Sequence, residues 1–238
     1  DYLATGHYAK IRFNPLIQRQ QLMRPQDLRK DQTYFLHSIP GDDLHRLMFP
    51  LADIIKPEVR KIARKLNLSA ANKPDSQEIC FVPKDYRNFL KQELNEVPEH
   101  GEFISVSGEV LGEHLGLPFY TIGQRRGLGL SDSTPYYVVK IDKVKNRIVL
   151  GKEEDLYSKT IFVSGVNWLS ISPPKEQLHV TAKLRYSHQG VTASVFPESD
   201  NKVRLELDVP ERAVTPGQAA VFYQDEILLG GGWINDLP

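Results

Sequence analysis

Val180-Thr181-Ala182-Lys183-Leu184-Arg185-Tyr186 alternates apolar and polar side chains at every step. A period of two puts Val180, Ala182, Leu184 and Tyr186 on one face of a strand, with Thr181, Lys183 and Arg185 on the other. Val191, Ala193 and Val195 repeat the pattern, as do Val203, Leu205 and Leu207, with Glu198-Ser199-Asp200-Asn201 as a polar turn between them. Short alternating strands joined by turns predict a small antiparallel β-barrel over residues 151–238. By the same periodicity Tyr186 belongs to the barrel core.

Upstream, residues 79–150 read as a small central domain. A compact helix presents Tyr86, Phe89, Leu90 and Leu94 on one face, and a Gly-rich, strand-like stretch follows, ending in a hairpin from Tyr136 to Leu150 around Lys145-Asn146. Residues 1–78 mix strand and helix signals, as at the end of an α/β domain. Asp1-Tyr2-Leu3-Ala4 reads as a short buried strand entered midway, and the absence of an initiator Met suggests a truncated chain. A first helix is expected over Asp27 to His37, with Asp27 as N-cap and Leu28, Phe35 and Leu36 facing inward. A second is expected from Pro57 to Leu66: Val59, Ile62, Ala63 and Leu66 share a face, and Asn67 suits a left-handed exit. The fold class is therefore α/β plus β.

The chain has 238 residues, 40% of them apolar, and no apolar run approaches the ~20 residues that span a bilayer. With no signal peptide, a cytoplasmic location and no membrane contact are expected. One cysteine excludes an internal disulfide framework, and the scattered histidines offer no metal-ligand spacing. Thirty basic residues balance thirty acidic ones, yet residues 1–66 carry twelve Lys/Arg against seven Asp/Glu, and residues 67–119 carry four against nine. Such asymmetry suits a basic face for a polyanion; uneven but solvated surfaces would read the same way.

Cys80 is the sharpest candidate for chemistry, because a thiolate serves as nucleophile or sulfur carrier. Its apolar flanks Ile79 and Phe81 equally suit a buried small hydrophobe. Thr5-Gly6-His7-Tyr8 follows a strand end, where open α/β sheets bind ligands and a glycine lets a ligand approach the backbone. Lys30-Asp31-Gln32, with Arg24 and Arg29 nearby, would present cations and amides for RNA contacts on a helix surface. Gly123 to Gly129 with Arg125 and Arg126 could hold phosphates, but completes no known phosphate-loop pattern. Thr215-Pro216-Gly217-Gln218 reads as a turn with Gln218 at its exit.

In order, these segments resemble bacterial tRNA-specific 2-thiouridylases. The resemblance rests on Ala4-Thr5-Gly6-His7-Tyr8, Lys30-Asp31-Gln32-Thr33-Tyr34-Phe35-Leu36 and Asp75-Ser76-Gln77-Glu78-Ile79-Cys80-Phe81. It continues through Gly112-Glu113-His114, Gly123-Gln124-Arg125-Arg126-Gly127-Leu128-Gly129, Leu184-Arg185-Tyr186, Thr215-Pro216-Gly217-Gln218-Ala219 and Leu229-Gly230-Gly231-Gly232. It implies an ATP-pyrophosphatase α/β domain ending near residue 78, the central domain and the barrel. It also implies ATP as co-substrate, with Mg, to adenylate the C2 oxygen of the wobble uridine. Sulfur would arrive as a persulfide on Cys80 from a cysteine desulfurase or a relay protein. By the same resemblance Gly6 contacts ATP, and His7, Lys30, Asp31, Gln32, Arg185, Tyr186 and Gln218 contact tRNA. A strand end or bulge would reconcile that role for Tyr186 with its core periodicity.

The family's Ser-Gly-Gly-x-Asp-Ser nucleotide loop and its second cysteine do not occur in these 238 residues, so the chain alone is expected to be inactive. A monomer is expected, with a mobile segment at residues 74–83 that receives and delivers sulfur. Without the resemblance, another adenylating enzyme or a non-enzymatic RNA-binding module would also fit.

Overall fold

A computed structural model describes residues 1–69, 71–72, 98–130, 133–199 and 201–235. Cys80, the expected helix bearing Tyr86 and Phe89, and the segment 74–83 lie outside the described residues. Those described divide into two units: one drawn from 1–73, 159–209 and 215–238, the other from 74–158 and 210–214.

The first unit opens with β1 (Leu3–Ala4), then the hairpin β2 (Lys10–Asn14) and β3 (Arg19–Met23). β4 (Leu47–Met48) pairs in parallel with β1, and helix α1 (Lys56–Lys65) follows. The expected strand is present but not buried: Tyr2 and Leu3 are largely exposed.

The sharper difference concerns Asp27–His37. In place of one helix there are two short 3-10 turns, Leu28–Lys30 and Thr33–Leu36, broken at Asp31-Gln32. One continuous helix would put Leu28 and Phe35, seven residues apart, on one inward face. The break cancels that register, so Leu28 and Phe35 are exposed and only Leu36 is buried. Nor does Asp27 cap its own turn. Its Oδ2 accepts the backbone N–H of Lys56 at 3.0 Å, satisfying an orphan donor at the start of α1. The side chain of the α1 N-cap residue, Ile55, makes no hydrogen bond there.

At its other end α1 closes as its sequence suggests. Asn67 takes φ 51°, its N–H donates to Arg64 O, and the Leu68 N–H reaches back to Ala63 O. That pair of bonds is the Schellman arrangement.

In the second unit, β5 (Gly101–Ser105), β6 (Val110–His114), β7 (Tyr137–Asp142) and β8 (Arg147–Gly151) form a sheet in the order β6-β5-β8-β7. The β7–β8 hairpin turns at Asn146, φ 48°, where the sequence placed it. Phe103, Val138, Ile148 and Leu150 fill its core.

The remaining strands are β9 (Tyr157–Asn167), β10 (Leu178–Lys183), β11 (Val191–Ser199), β12 (Lys202–Arg212), β13 (Ala219–Gln224) and β14 (Ile227–Ile234). They run in the order β13-β10-β11-β12-β9-β14, and β13–β14 pairing closes them into a six-stranded barrel. The alternation is borne out, since Val180, Ala182, Leu184, Val195, Leu205 and Leu207 are all buried. β3 joins the edge of β14 through Met23–Ile227 and Leu22–Leu228, so the β2–β3 hairpin extends the barrel sheet. No described helix is long and apolar enough to cross a membrane.

Gly230-Gly231-Gly232 lies where β14 meets β9 and β13 together. A Cβ on Gly230 would fall 2.5 Å from Asn167 O, and one on Gly232 would fall 2.6 Å from Ser164 O. Both distances are to backbone, which cannot swing aside. Gly230→Ala is therefore expected to destabilise the barrel by about 1–3 kcal/mol, read as a lower urea midpoint.

A second expectation concerns Asp27. The Lys56 N–H holds its carboxyl below the ordinary value of 3.8, with the Arg29 guanidinium assisting and burial opposing. A depressed folded value means that the stabilisation is present above 3.8 and is lost as pH falls through the lower folded value. Asp27→Ala should cost about 1–2 kcal/mol at neutral pH, and the gap to wild type should shrink in acid unfolding experiments.

Candidate nucleic-acid interface

Eight of the nine candidate residues lie in the first unit; the ninth, Cys80, is outside the described residues. Gly6 follows β1 at its carboxyl end, where the Thr5 N–H donates to Met48 O. Gly6 is exposed, and a Cβ there would meet only Leu51 Cδ1 at 4.0 Å. The backbone there is therefore open on the side that a side chain would occupy. His7 Nδ1 lies 3.0 Å from Thr5 Oγ1, and its ring meets Phe49 edge-on.

Gln32 ties this loop to the Lys30–Gln32 segment. Its Oε1 accepts the Tyr8 N–H at 2.9 Å, while its own N–H donates to Tyr8 O at 3.1 Å. Asp31 is similarly engaged. Its Oδ1 accepts both the N–H and the hydroxyl of Thr33, at 2.9 and 2.6 Å, and its Oδ2 lies 3.5 Å from Arg24 Nε. The Asp31 side chain is only 9% exposed. Arg24, expected on a helix surface, instead follows β3 with its guanidinium 4.3 Å from the Tyr223 ring centroid. The Tyr223 hydroxyl lies 3.1 Å from Thr33 Oγ1, and burial pushes its pKa far up, so it remains a neutral phenol.

Tyr34 joins this segment to the barrel. It is buried, and its hydroxyl donates to Ala219 O at 3.0 Å. Ala219 follows Gln218, which is exposed at the exit of a turn closed by its own N–H to Thr215 O. The Tyr34 ring also lies 6.2 Å from that of Tyr186.

Tyr186 is not a core residue. β10 ends at Lys183, so the alternating register stops before Tyr186, which is 44% exposed beside exposed Arg185. The turn that carries both is pinned by buried His188: its Nδ1 accepts the Leu184 N–H, and its own N–H donates to Arg185 O. Lys183 sits with Nζ 5.9 Å from the Tyr186 ring centroid. Burial lowers its pKa, the Asp31 charge opposes the shift and Arg24 adds to it. His37, whose Nδ1 pairs with Tyr34 O, leaves Nε2 buried without a hydrogen-bond partner among the described residues.

Sequence reasoning missed Tyr34, Lys183 and His188. The only sequence signal for them is adjacency to named motif residues. In the second unit, Arg125 and Gly127 to Gly129 line a cavity of about 570 Å³ together with Tyr136. Lys152 Nζ sits 3.7 Å from that ring's centroid.

The Gln32 clasp makes a direct expectation. Gln32→Ala removes the acceptor of the Tyr8 N–H, so the Tyr8 amide should exchange with solvent about fivefold faster, matching a hydrogen bond worth roughly 1 kcal/mol. Hydrogen-exchange mass spectrometry on residues 5–10 reads the change.

Family comparisons cover almost all of the chain. Residues 1–84 match the tRNA methyl transferase HUP domain, 87–152 the tRNA methyl transferase PRC-barrel domain, and 158–234 the aminomethyltransferase beta-barrel domain. Among the most similar relatives is the tRNA-specific 2-thiouridylase MnmA of Carboxydothermus hydrogenoformans, 46% identical over 236 residues, which are 99% of this chain and 65% of the relative. The protein of that name from Synechococcus sp. (strain JA-3-3Ab) is 45% identical over 232 residues, 97% of this chain and 62% of its own. That of Microcystis aeruginosa is 43% identical over 237 residues, 99% of this chain and 67% of its own. The chain thus spans about two thirds of the length of these relatives. It comprises the end of a HUP domain, a PRC-barrel-like middle domain and a closed six-stranded barrel. By sequence and by architecture, the chain belongs to the tRNA-specific 2-thiouridylase MnmA family.

Proposed function

We propose that this chain is part of an enzyme that converts the wobble uridine of tRNA to 2-thiouridine. The observation that carries the reading is that motif residues from three distant parts of the sequence meet through Tyr34: the Lys30–Gln32 segment, Tyr186, and the Ala219 carbonyl next to Gln218. Exposed Arg185, Tyr186 and Gln218 there offer a cation, a ring and an amide to RNA. Asp31 and Gln32 act from within, by holding the loops that carry His7 and Lys30.

ATP, with Mg, would adenylate the C2 oxygen of uridine with release of pyrophosphate, making AMP the leaving group, and Gly6 gives the nucleotide an open backbone approach. Cys80 carries the sulfur as a persulfide loaded by a cysteine desulfurase or a relay protein. A second cysteine's thiolate attacks Cys80 Sγ and breaks the S–S bond, freeing the terminal sulfur as nucleophile. The C2–S bond forms, the C2–O bond breaks and AMP departs, leaving a disulfide. The uridine must leave its stack to be reached. In this reading the enzyme is a cytoplasmic monomer.

In the longer protein, Cys80→Ser is expected to abolish 2-thiouridine, measured by mass spectrometry of digested tRNA, while tRNA binding persists. Continued thiolation by that variant would remove Cys80 from the carrier role. The 238-residue chain alone should make no 2-thiouridine, since it has no second cysteine.

A further inference from the structure

Phe35 is one of the residues whose position the sequence pattern misjudges. A continuous helix would bury it, but in the 3-10 turn Thr33–Leu36 its neighbours Thr33, Tyr34 and Leu36 take the buried positions and Phe35 is left outside, 54% exposed. Burying a phenyl ring stabilises a fold, and this fold leaves much of that gain unrealised.

The ring is not loose. It stacks on Tyr186 with centroids 4.5 Å apart and planes 33° apart. Tyr34 meets it edge-on at 5.6 Å from beneath, held in turn by its hydroxyl on Ala219 O. Tyr186 is itself fixed by the His188 pin on its turn. The result is an exposed, pre-ordered pair of aromatic rings contributed by segments 150 residues apart in sequence. Lys183 lies 5.9 Å from the Tyr186 ring, and exposed Arg185 precedes it.

Stacked rings bordered by cations suit one chemistry well. Unpaired nucleobases stack on aromatic side chains while neighbouring cations take the phosphates. A protein partner would be expected to bring a larger apolar area than one ring pair.

We propose that Phe35 contacts substrate: it and Tyr186 form the platform on which an unpaired base of the tRNA anticodon loop stacks. This rests on the reading that the chain acts on tRNA. Arg185 supplies charge to the adjacent backbone, and Phe35 supplies stacking that does not depend on salt.

The test uses the longer protein and an anticodon stem-loop RNA carrying 2-aminopurine at single loop positions. Wild type should quench the fluorophore at one loop position on binding. Phe35→Ala and Phe35→Leu should each weaken binding about 5- to 100-fold, abolish that quenching and leave the salt slope unchanged. Phe35→Trp should restore both affinity and quenching. Arg185→Ala should instead flatten the salt slope by about 0.7 for one single-strand phosphate contact. Because Phe35 is half-exposed, Phe35→Leu should melt with wild type, separating loss of contact from loss of fold. If Phe35→Leu binds and quenches as wild type does while Arg185→Ala is weakened, Phe35 is only a packing residue and the proposal fails, with the tRNA reading intact. If wild type shows no preference for the stem-loop over a blunt duplex, both fail.

Discussion

The barrel depends on one strand being in contact on every side. β14 pairs with β13, with β9 and, at its start, with β3. A strand so placed has no room for side chains where two backbones close on it, and Gly230, Gly231 and Gly232 occupy those positions. A Cβ on Gly231 would meet Ala220 O at 2.9 Å and the His37 side chain at 3.1 Å. The glycine run therefore does two things together: it lets the barrel close, and it lets the segment ending at His37 lie against it.

Everything on the candidate interface follows from that docking. Asn167 on β9 donates to the carbonyls of both His37 and Ile39, at 2.8 and 2.7 Å. Tyr34 reaches Ala219 at the start of β13, and Leu36 and Tyr34 join a core with Leu169, Val221 and Leu228. Once the inward side of the Thr33–Leu36 turn is committed to the barrel, Phe35 has only the outward side left.

The polar residues of the motifs separate by the same logic. Buried polar groups must be hydrogen-bonded, and a buried charge must be paired. Asp31, with Thr33 and Arg24 around it, meets both conditions inside the protein, so its acidity does not repel a polyanion at the surface. Net charge is zero over the chain. What an RNA would meet is decided locally, by which charges are consumed internally and which, like Arg185, stay exposed. The residues named together as one motif thus divide into internal braces and exposed groups.

Local pattern alone determined the barrel strands, the β7–β8 turn at Asn146 and the exit of α1 at Asn67, because each depends on side-chain periodicity or on the φ preference of a residue in place. What the pattern could not contain was the partner of each group. Asp27 looks like the cap of its own helix and caps α1 instead, twenty-nine residues on. Tyr186 continues a period that its strand does not, because β10 stops at Lys183. Phe35 reads as inward on an α-helical period, and a 3-10 turn docked on the barrel turns it out. For Asp27 and Phe35 the deciding bond or contact joins residues far apart in sequence, and such contacts exist only once the chain has folded.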